Sequence, residues 1–204
     1  HLSIRRQRQM CIRDSSSTTK WLSRGIREVR SVLGYPGDLT PSRRTHLVLL
    51  AGIEHDRATE LVRWYEPSII SLGFSGRTEQ ETLGQETMDR SLYSERFAVL
   101  RAFFRNAHEF DFDCFSVDST VKALIRCSEA FPNHNVVVAP MNTKLSTLGA
   151  ASFATSYPSV QLCYAQALLY NVNAYSKQSD YCYVVTPHSN ELRTGVSMEH
   201  LSAS

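Results

Sequence analysis

Among 204 residues there is no CxxC pair and no Cys/His cluster with zinc-type spacing, which excludes the familiar thiolate metal sites. Five cysteines stand singly at positions 11, 114, 127, 163 and 182. Cys114, Cys163 and Cys182 sit inside apolar, strand-like segments, where Cys serves as a small buried hydrophobe. Such usage fits a reduced, cytoplasmic setting. Long hydrophobic runs are also missing. The longest, Leu47 to Ile53, is about a third of the roughly 20 residues that a membrane helix needs, so no membrane partner is expected. Neither GxxxxGKS/T nor GxGxxG occurs, which leaves out a P-loop and a dinucleotide fingerprint. An excess of one charge is lacking as well. Of 22 basic and 20 acidic residues, the first fourteen positions hold four Arg and one Asp, so the remainder carries 18 and 19. A neutral body has no broad footprint for a phosphate backbone, and extended nucleic-acid binding is not expected.

What is present is globular composition, 42% hydrophobic and 21% charged, enough for one domain with its own core. The opening HLSIRRQRQMCIRDS resembles a translated sequencing adapter. That resemblance implies that residues 1–15 are a non-native leader, that the native frame begins near Ser16, and that upstream sequence is missing. A basic targeting arm is the competing reading, and it has no apolar h-region for a secretory signal.

Apolar residues at 22, 26, 29 and 33, closed by the GYPG turn, predict a first helix over Trp21–Leu33. Beyond Thr45 short apolar runs alternate with amphipathic stretches. Strands are predicted at His46–Ala51, Ser68–Leu72, Phe112–Val117, Asn135–Ala139, Val160–Ala165 and Tyr181–Thr186. Between them, Ala58, Leu61, Val62 and Tyr65 stripe a helix whose Arg57, Glu60 and Arg63 face water and which Pro67 stops. Phe74–Arg90 is long and polar, a mobile loop. Tyr93, Phe97, Leu100, Phe104 and Ala107 mark a helix over Leu92–Phe110. Asp118, Ser119 and Thr120 offer N-caps to a helix with Val121, Leu124, Ile125 and Ser128 inward, and Lys144–Thr155 is a small-residue helix. From His188 the chain is a polar, poorly ordered tail.

Strands alternating with helices of about a dozen residues require parallel pairing through right-handed crossovers. The expected fold is therefore α/β, a three-layer Rossmann-like sandwich with a mainly parallel sheet, formed as a single domain over residues 16–187. Ligands of such sheets bind beyond the strand carboxyl ends, where helix N-termini converge. Those ends carry Gly52, Ile53 and Glu54; Gly73 to Arg77, including Ser75; Asp118 to Thr120; and Pro140 to Lys144. In the last, the Thr143 hydroxyl, backbone NH groups and the Lys144 ammonium can converge on a phosphate or carboxylate. Alternatively Asn142 is an N-cap and Lys144 a solvated charge. Glu54 can accept from a ribose or base, while Arg57 pairs with Glu60 or solvent.

The strand NVVVAP, then MNTKL, the helix STLGAASFATSYP and the strand VQLCYA resemble the late part of CRISPR-associated Rossmann-fold (CARF) sensor domains. Those carry a Gly, Thr, Lys turn at this junction, which here reads Met141, Asn142, Thr143, Lys144. The resemblance covers residues 45–186 in element order and the junction in residues. It implies that Thr143 and Lys144 contact the phosphates of a cyclic oligoadenylate, and that the domain pairs as a homodimer.

Enzyme signatures fail one by one. Gly73-Phe74-Ser75-Gly76 starts a nucleophile elbow, but Arg77 stands where the second Gly belongs. His134 precedes a strand and lies at the opposite end of the sheet from Ser75 and Asp118, so no triad closes. Asp111 and Asp113 flank the start of the predicted third strand and read as a solvated edge. Glu54, His55 and Asp56 are consecutive and cannot turn to one metal ion from a helix. Tyr164, Gln166, Tyr170, Asn171, Tyr175 and Ser176 suit stacking on bases or sugars, or packing over a sheet edge. The function expected is a sensor or regulatory domain for a nucleotide-like anionic small molecule. Gly52, Glu54, Ser75, Asp118, Asn142, Thr143 and Lys144 form its site, with residues 74–90 as a lid. No catalytic residue, metal or cofactor is assigned. The alternatives are a nucleotide phosphodiesterase or transferase using the same crevice, and a homodimeric interaction module without a small-molecule ligand.

Overall fold

The computed structural model describes residues 21–75, 90–172, 181–187 and 196–202. Six strands form one sheet: β1 (Ser23–Ser31), β2 (Thr45–Leu50), β3 (Ile69–Phe74), β4 (His108–Asp111), β5 (Asn135–Pro140) and β6 (Gln161–Tyr170). Their spatial order is β1-β6-β5-β2-β3-β4. Every neighbouring pair is parallel except β1 with β6. The helices α1 (His55–Tyr65), α2 (Arg90–Phe103), α3 (Val117–Glu129) and α4 (Lys144–Ser156) connect the parallel strands.

Side-chain alternation along β2 explains the layering. Leu47 and Leu49 point to one face and meet Ala58 and Leu61 of α1 and Phe97 and Leu100 of α2. Val48 and Leu50 point to the other and meet Ala123 and Leu124 of α3 and Ala150 and Phe153 of α4. A sheet apolar on both faces needs a helical layer on each, which gives the three-layer Rossmann-like sandwich.

The five parallel strands run β6-β5-β2-β3-β4, the doubly wound order. The chain proceeds outward from β2 through β3 to β4, then returns across the sheet to β5 on the other side of β2. The topological switch point therefore lies between the carboxyl ends of β2 and β5, where loops leave in opposite directions and open a crevice.

Several sequence expectations change. The first segment is a strand, not a helix. Ile26 pairs with Ala167 and Glu28 with Gln166, so a bulge inserts one extra residue. That insertion brings Ile26 and Val29, three apart, to the same face of the sheet, where both pack on the core. A bulged strand thus reproduces helical spacing. Phe112–Val117 is not the third strand; β4 is His108–Asp111, a mostly exposed sheet edge. Phe112 and Cys114 are buried from the following loop, which explains why the apolar signal falls after the strand. The helix expected to run to Phe110 accordingly ends at Phe103. Asp111 and Asp113 lie at and beyond the carboxyl end of β4, not at its start. The third helix is capped by Ser116, whose side chain accepts from Ser119 N, and it buries Thr120, Ala123, Leu124 and Cys127. The last predicted strand, observed as β7 (Tyr181–Pro187), pairs antiparallel with β8 (Val196–Ser202) in a separate two-stranded sheet, so the segment read as a polar tail carries a strand. The Phe74–Arg90 loop falls mostly on 76–89, outside the described residues.

Candidate functional site

A hollow of about 970 Å³ opens at the switch point, near the upper end for small-molecule sites. Ile53, Glu54 and Arg57 come from the β2 side, and Pro140, Met141, Asn142, Lys144 and Thr147 from the β5 side. The third wall is Arg30 to Gly34 and Pro36, at and beyond the end of β1. This wall is held by Val32 N donating to Leu162 O at 2.9 Å and Leu162 N to Tyr35 O at 3.1 Å. A smaller neighbouring hollow, lined by Arg24, His55 and Arg96 among others, shares Leu22, Ile53, Glu54 and Arg57 with it.

Glu54 and Arg57 form the polar wall. Arg57 was expected to face water, yet it is buried. Its Nη1 donates to Glu54 Oε2 at 2.9 Å, its Nε donates to Ala165 O at 3.0 Å, and the guanidinium lies 5.1 Å from the Tyr164 ring centre. Burial of so long a cation requires such a set of partners. Glu54 Oε1 is shielded and has no partner. As the residue preceding α1, Glu54 makes no side-chain cap bond.

Asn142 and Thr143 occupy the β5 loop differently from the sequence reading. Thr143, not Asn142, is the N-cap of α4: its Oγ1 accepts from Ser146 N at 3.1 Å. The same hydroxyl donates to Cys114 O. The group aimed by sequence at an anion is thus committed to two protein partners, and Thr143 is not among the hollow's lining residues. Thr143→Ala is expected to lower stability by about 2 kcal/mol through lost capping and an orphaned carbonyl, with Thr143→Ser close to wild type. Urea denaturation of both variants checks this, and equal losses would contradict a hydroxyl-mediated cap.

Asn142 is 3% exposed. Its Nδ2 donates to Ala51 O and lies 3.3 Å from Tyr93 Oη, while Oδ1 is shielded and without a partner. Tyr93 Oη also donates to Ala51 O at 3.0 Å and accepts from Ser75 N at 3.0 Å. Burial raises the Tyr93 phenol above its ordinary pKa, with the Ser75 hydrogen bond opposing it. It is a neutral strut beneath the crevice. Sequence reading placed Tyr93 in the core stripe and missed this role, which depends on three loops that only folding brings together.

The remaining candidates are dispersed. Gly52 is buried under the Met141 carbonyl rather than lining the hollow. Ser75 is buried, and its Oγ accepts from Cys114 N at 3.0 Å. Asp118 is exposed and pairs with Lys122 at 2.6 Å. Neither Ser75 nor Asp118 lines the hollow. Lys144 does, at the first position of α4, whose first turn contains no acid. Tyr164, inside the predicted strand Val160–Ala165, and Tyr170, beyond its predicted end, are both strand residues of β6, and their hydroxyls lie 2.8 Å apart. Tyr175 and Ser176 lie outside the described residues.

Cys114 and Cys163 are free and buried, and burial pushes both thiols up to about 12, so they are inert hydrophobes here. Cys182 lies in β7. Among the described residues no group of three or more His, Cys, Asp or Glu is placed to hold a metal ion. No helix among them is long and apolar enough to cross a membrane. No protein-family model and no curated protein matches this chain.

Proposed function

We propose that this chain is a sensor or regulatory domain binding a nucleotide-like anionic small molecule in the hollow at the β2/β5 switch point. The observation that carries this reading is the convergence of Lys144, the acid-free start of α4 and the Glu54–Arg57 pair on one crevice at the carboxyl ends of parallel strands. The positive end of the α4 dipole and the Lys144 ammonium favour an anion there. Val32, Leu33, Pro36, Ile53 and Met141 supply an apolar wall of the kind that receives a planar heterocycle. In this reading Lys144 holds the anion, Thr143 fixes the helix start that presents it, and Gly52 lets the two loops close together. A CARF-like sensor, with a cyclic oligoadenylate as ligand, is one form of the same proposal.

The enzyme alternative finds less support. Ser75 is hydrogen-bonded within the core and Asp118 stands in an exposed ion pair, so neither reaches a ligand in the hollow. The homodimer alternative draws on Leu168, Leu169 and Val172, which are exposed at and beyond the end of β6, and it is compatible with ligand binding.

Calorimetric titration with a panel of linear and cyclic nucleotides tests the proposal. At least one is expected to bind, to be recovered intact, and to lose about tenfold in affinity, or roughly 1.4 kcal/mol, in Lys144→Ala. Absence of binding across the panel, or affinity unaltered in the variant, would remove the reading.

A further inference from the structure

The two loops that meet at the switch point each bring one buried acceptor oxygen that no protein donor satisfies. Glu54 Oε1 and Asn142 Oδ1 both lack a partner, and both residues line the same hollow. The loops are in close contact: Asn142 Nδ2 donates to Ala51 O, and a Cβ on Gly52 would lie 2.0 Å from Met141 O. Buried polar atoms in folded proteins are normally paired, and each exception carries a desolvation penalty that a suitable donor relieves. Two such exceptions on residues that line one ligand-sized hollow call for a ligand that supplies donors.

The polarity of each position is settled by its other contacts. Asn142 must turn its NH₂ toward the Ala51 carbonyl, which leaves Oδ1 as a buried acceptor with no protein donor. Glu54 offers Oε2 to Arg57 Nη1 at 2.9 Å, which neutralises the carboxylate and leaves Oε1 as an acceptor. The last torsion of a Glu side chain is soft, and 15% of this side chain remains accessible. A modest swing of the carboxylate, which moves both oxygens together and which the Arg57 guanidinium must follow, is what brings the shielded Oε1 to a ligand donor.

We infer that Glu54 Oε1, supported by Asn142 Oδ1, is a specificity-determining acceptor for an N–H or O–H donor on the ligand. This rests on the proposed nucleotide-like ligand and deepens it: the chemistry recognised is a donor-bearing edge, from either an exocyclic base amine or the ribose 2′-hydroxyl. Anions without such donors are disfavoured, because they leave both oxygens unsatisfied.

Glu54→Gln tests it by an acceptor-to-donor exchange of nearly equal shape. Arg57 can donate only to the Gln carbonyl oxygen, so the Gln NH₂ takes the position of Oε1. The full chain is titrated with adenosine 5′-monophosphate, inosine 5′-monophosphate, which lacks the amine, and 2′-deoxyadenosine 5′-monophosphate, which lacks a hydroxyl. Wild type is expected to bind the first at least tenfold more tightly than one of the other two. Glu54→Gln should lose at least tenfold for adenosine 5′-monophosphate and nothing for the ligand lacking the donor that Glu54 meets. Loss for the inosine ligand in wild type assigns the amine; loss for the deoxy ligand assigns the hydroxyl. If Glu54 acts through charge alone, the variant binds all three more tightly, since a negative group beside an anion has been removed. That result, with Lys144→Ala still weakening binding, overturns this inference and leaves the site standing. Failure of wild type to bind any of the three overturns this inference; the reading of the site falls with it only if the cyclic nucleotides of the wider panel also fail to bind. If Glu54→Gln does not fold by circular dichroism, the wild-type series decides, and equal affinity for the three ligands counts against the inference.

Discussion

Gly52→Ala is expected to destabilise the chain by about 3 kcal/mol or more, enough to leave much of a marginal domain unfolded. The added Cβ would sit 2.0 Å from Met141 O and 3.1 Å from Met141 C. Both are backbone atoms, so no rotamer change relieves the contact. Nor can the two loops separate cheaply. Met141 N donates to Leu50 O at 3.1 Å, and Asn142 Nδ2 and Tyr93 Oη both donate to Ala51 O. Moving either loop breaks pairs that are buried and cannot be replaced by water. Gly34 provides the control. It has a positive φ of 88° with nothing near its Cβ position, so Gly34→Ala should cost about 1–2 kcal/mol from backbone conformation alone. Urea denaturation of both variants distinguishes a steric from a conformational penalty. A Gly52→Ala protein as stable as Gly34→Ala would mean that the β2 and β5 loops do not approach as described, and the crevice between them would lose its definition.

Gly52 also illustrates how far residue pattern carries a functional reading. Its place after an apolar run marked a strand end, and the structure puts it there; what the pattern could not express is that its missing side chain faces another loop rather than a ligand. The parallel sheet was legible because β2 and β5 are continuous runs of Val, Leu and Ala that can sit only between two helical layers. The edges were not. β4 is four residues long and mostly exposed, so its apolar neighbours Phe112 and Cys114 drew the expected strand into the following loop. In β1 the bulge at Ile26–Glu28 replaced alternation with a spacing of three, which local pattern reads as helix. The same limit applied to the site. Lys144 and Glu54 could be placed at strand ends from sequence, since two regular elements fix their positions. Thr143 reads from sequence as an anion contact, with Asn142 as the alternative cap; that it is itself the cap was hidden because Cys114 O, its second partner, lies 29 residues away in sequence. The β1 wall of the hollow escaped notice because a segment taken for a helix offers no wall to a sheet.

Acidification should unfold this chain through His46 at the amino end of the sheet, far along β2 from the proposed site. His46 is fully buried. Its Nε2 lies 2.7 Å from Ser71 Oγ and 3.9 Å from Cys127 Sγ, its ring meets the edge of Phe131 at 4.8 Å, and Nδ1 has no partner. Burial, with the nearby His134 and His108 acting in the same direction, lowers its pKa from an ordinary 6.5 to about 4. The folded chain therefore keeps His46 neutral at pH values where the unfolded chain protonates it. Between pH 6.5 and 4 the unfolded state binds the additional proton, so stability falls as pH drops through that window, by roughly 3 kcal/mol in total. Above the window both states are neutral and below it both are charged, and this residue contributes no slope. Carboxylates also titrate as the pH falls, so the measurement is a difference. Urea midpoints of wild type and His46→Leu, taken from pH 7.5 to 4, should converge at low pH, because the variant loses a buried hydrogen bond at every pH but gains no proton on unfolding. Parallel curves for the two proteins would show that His46 either is accessible to protons when folded or ionises without penalty, and would contradict its burial between Ser71, Cys127 and Phe131.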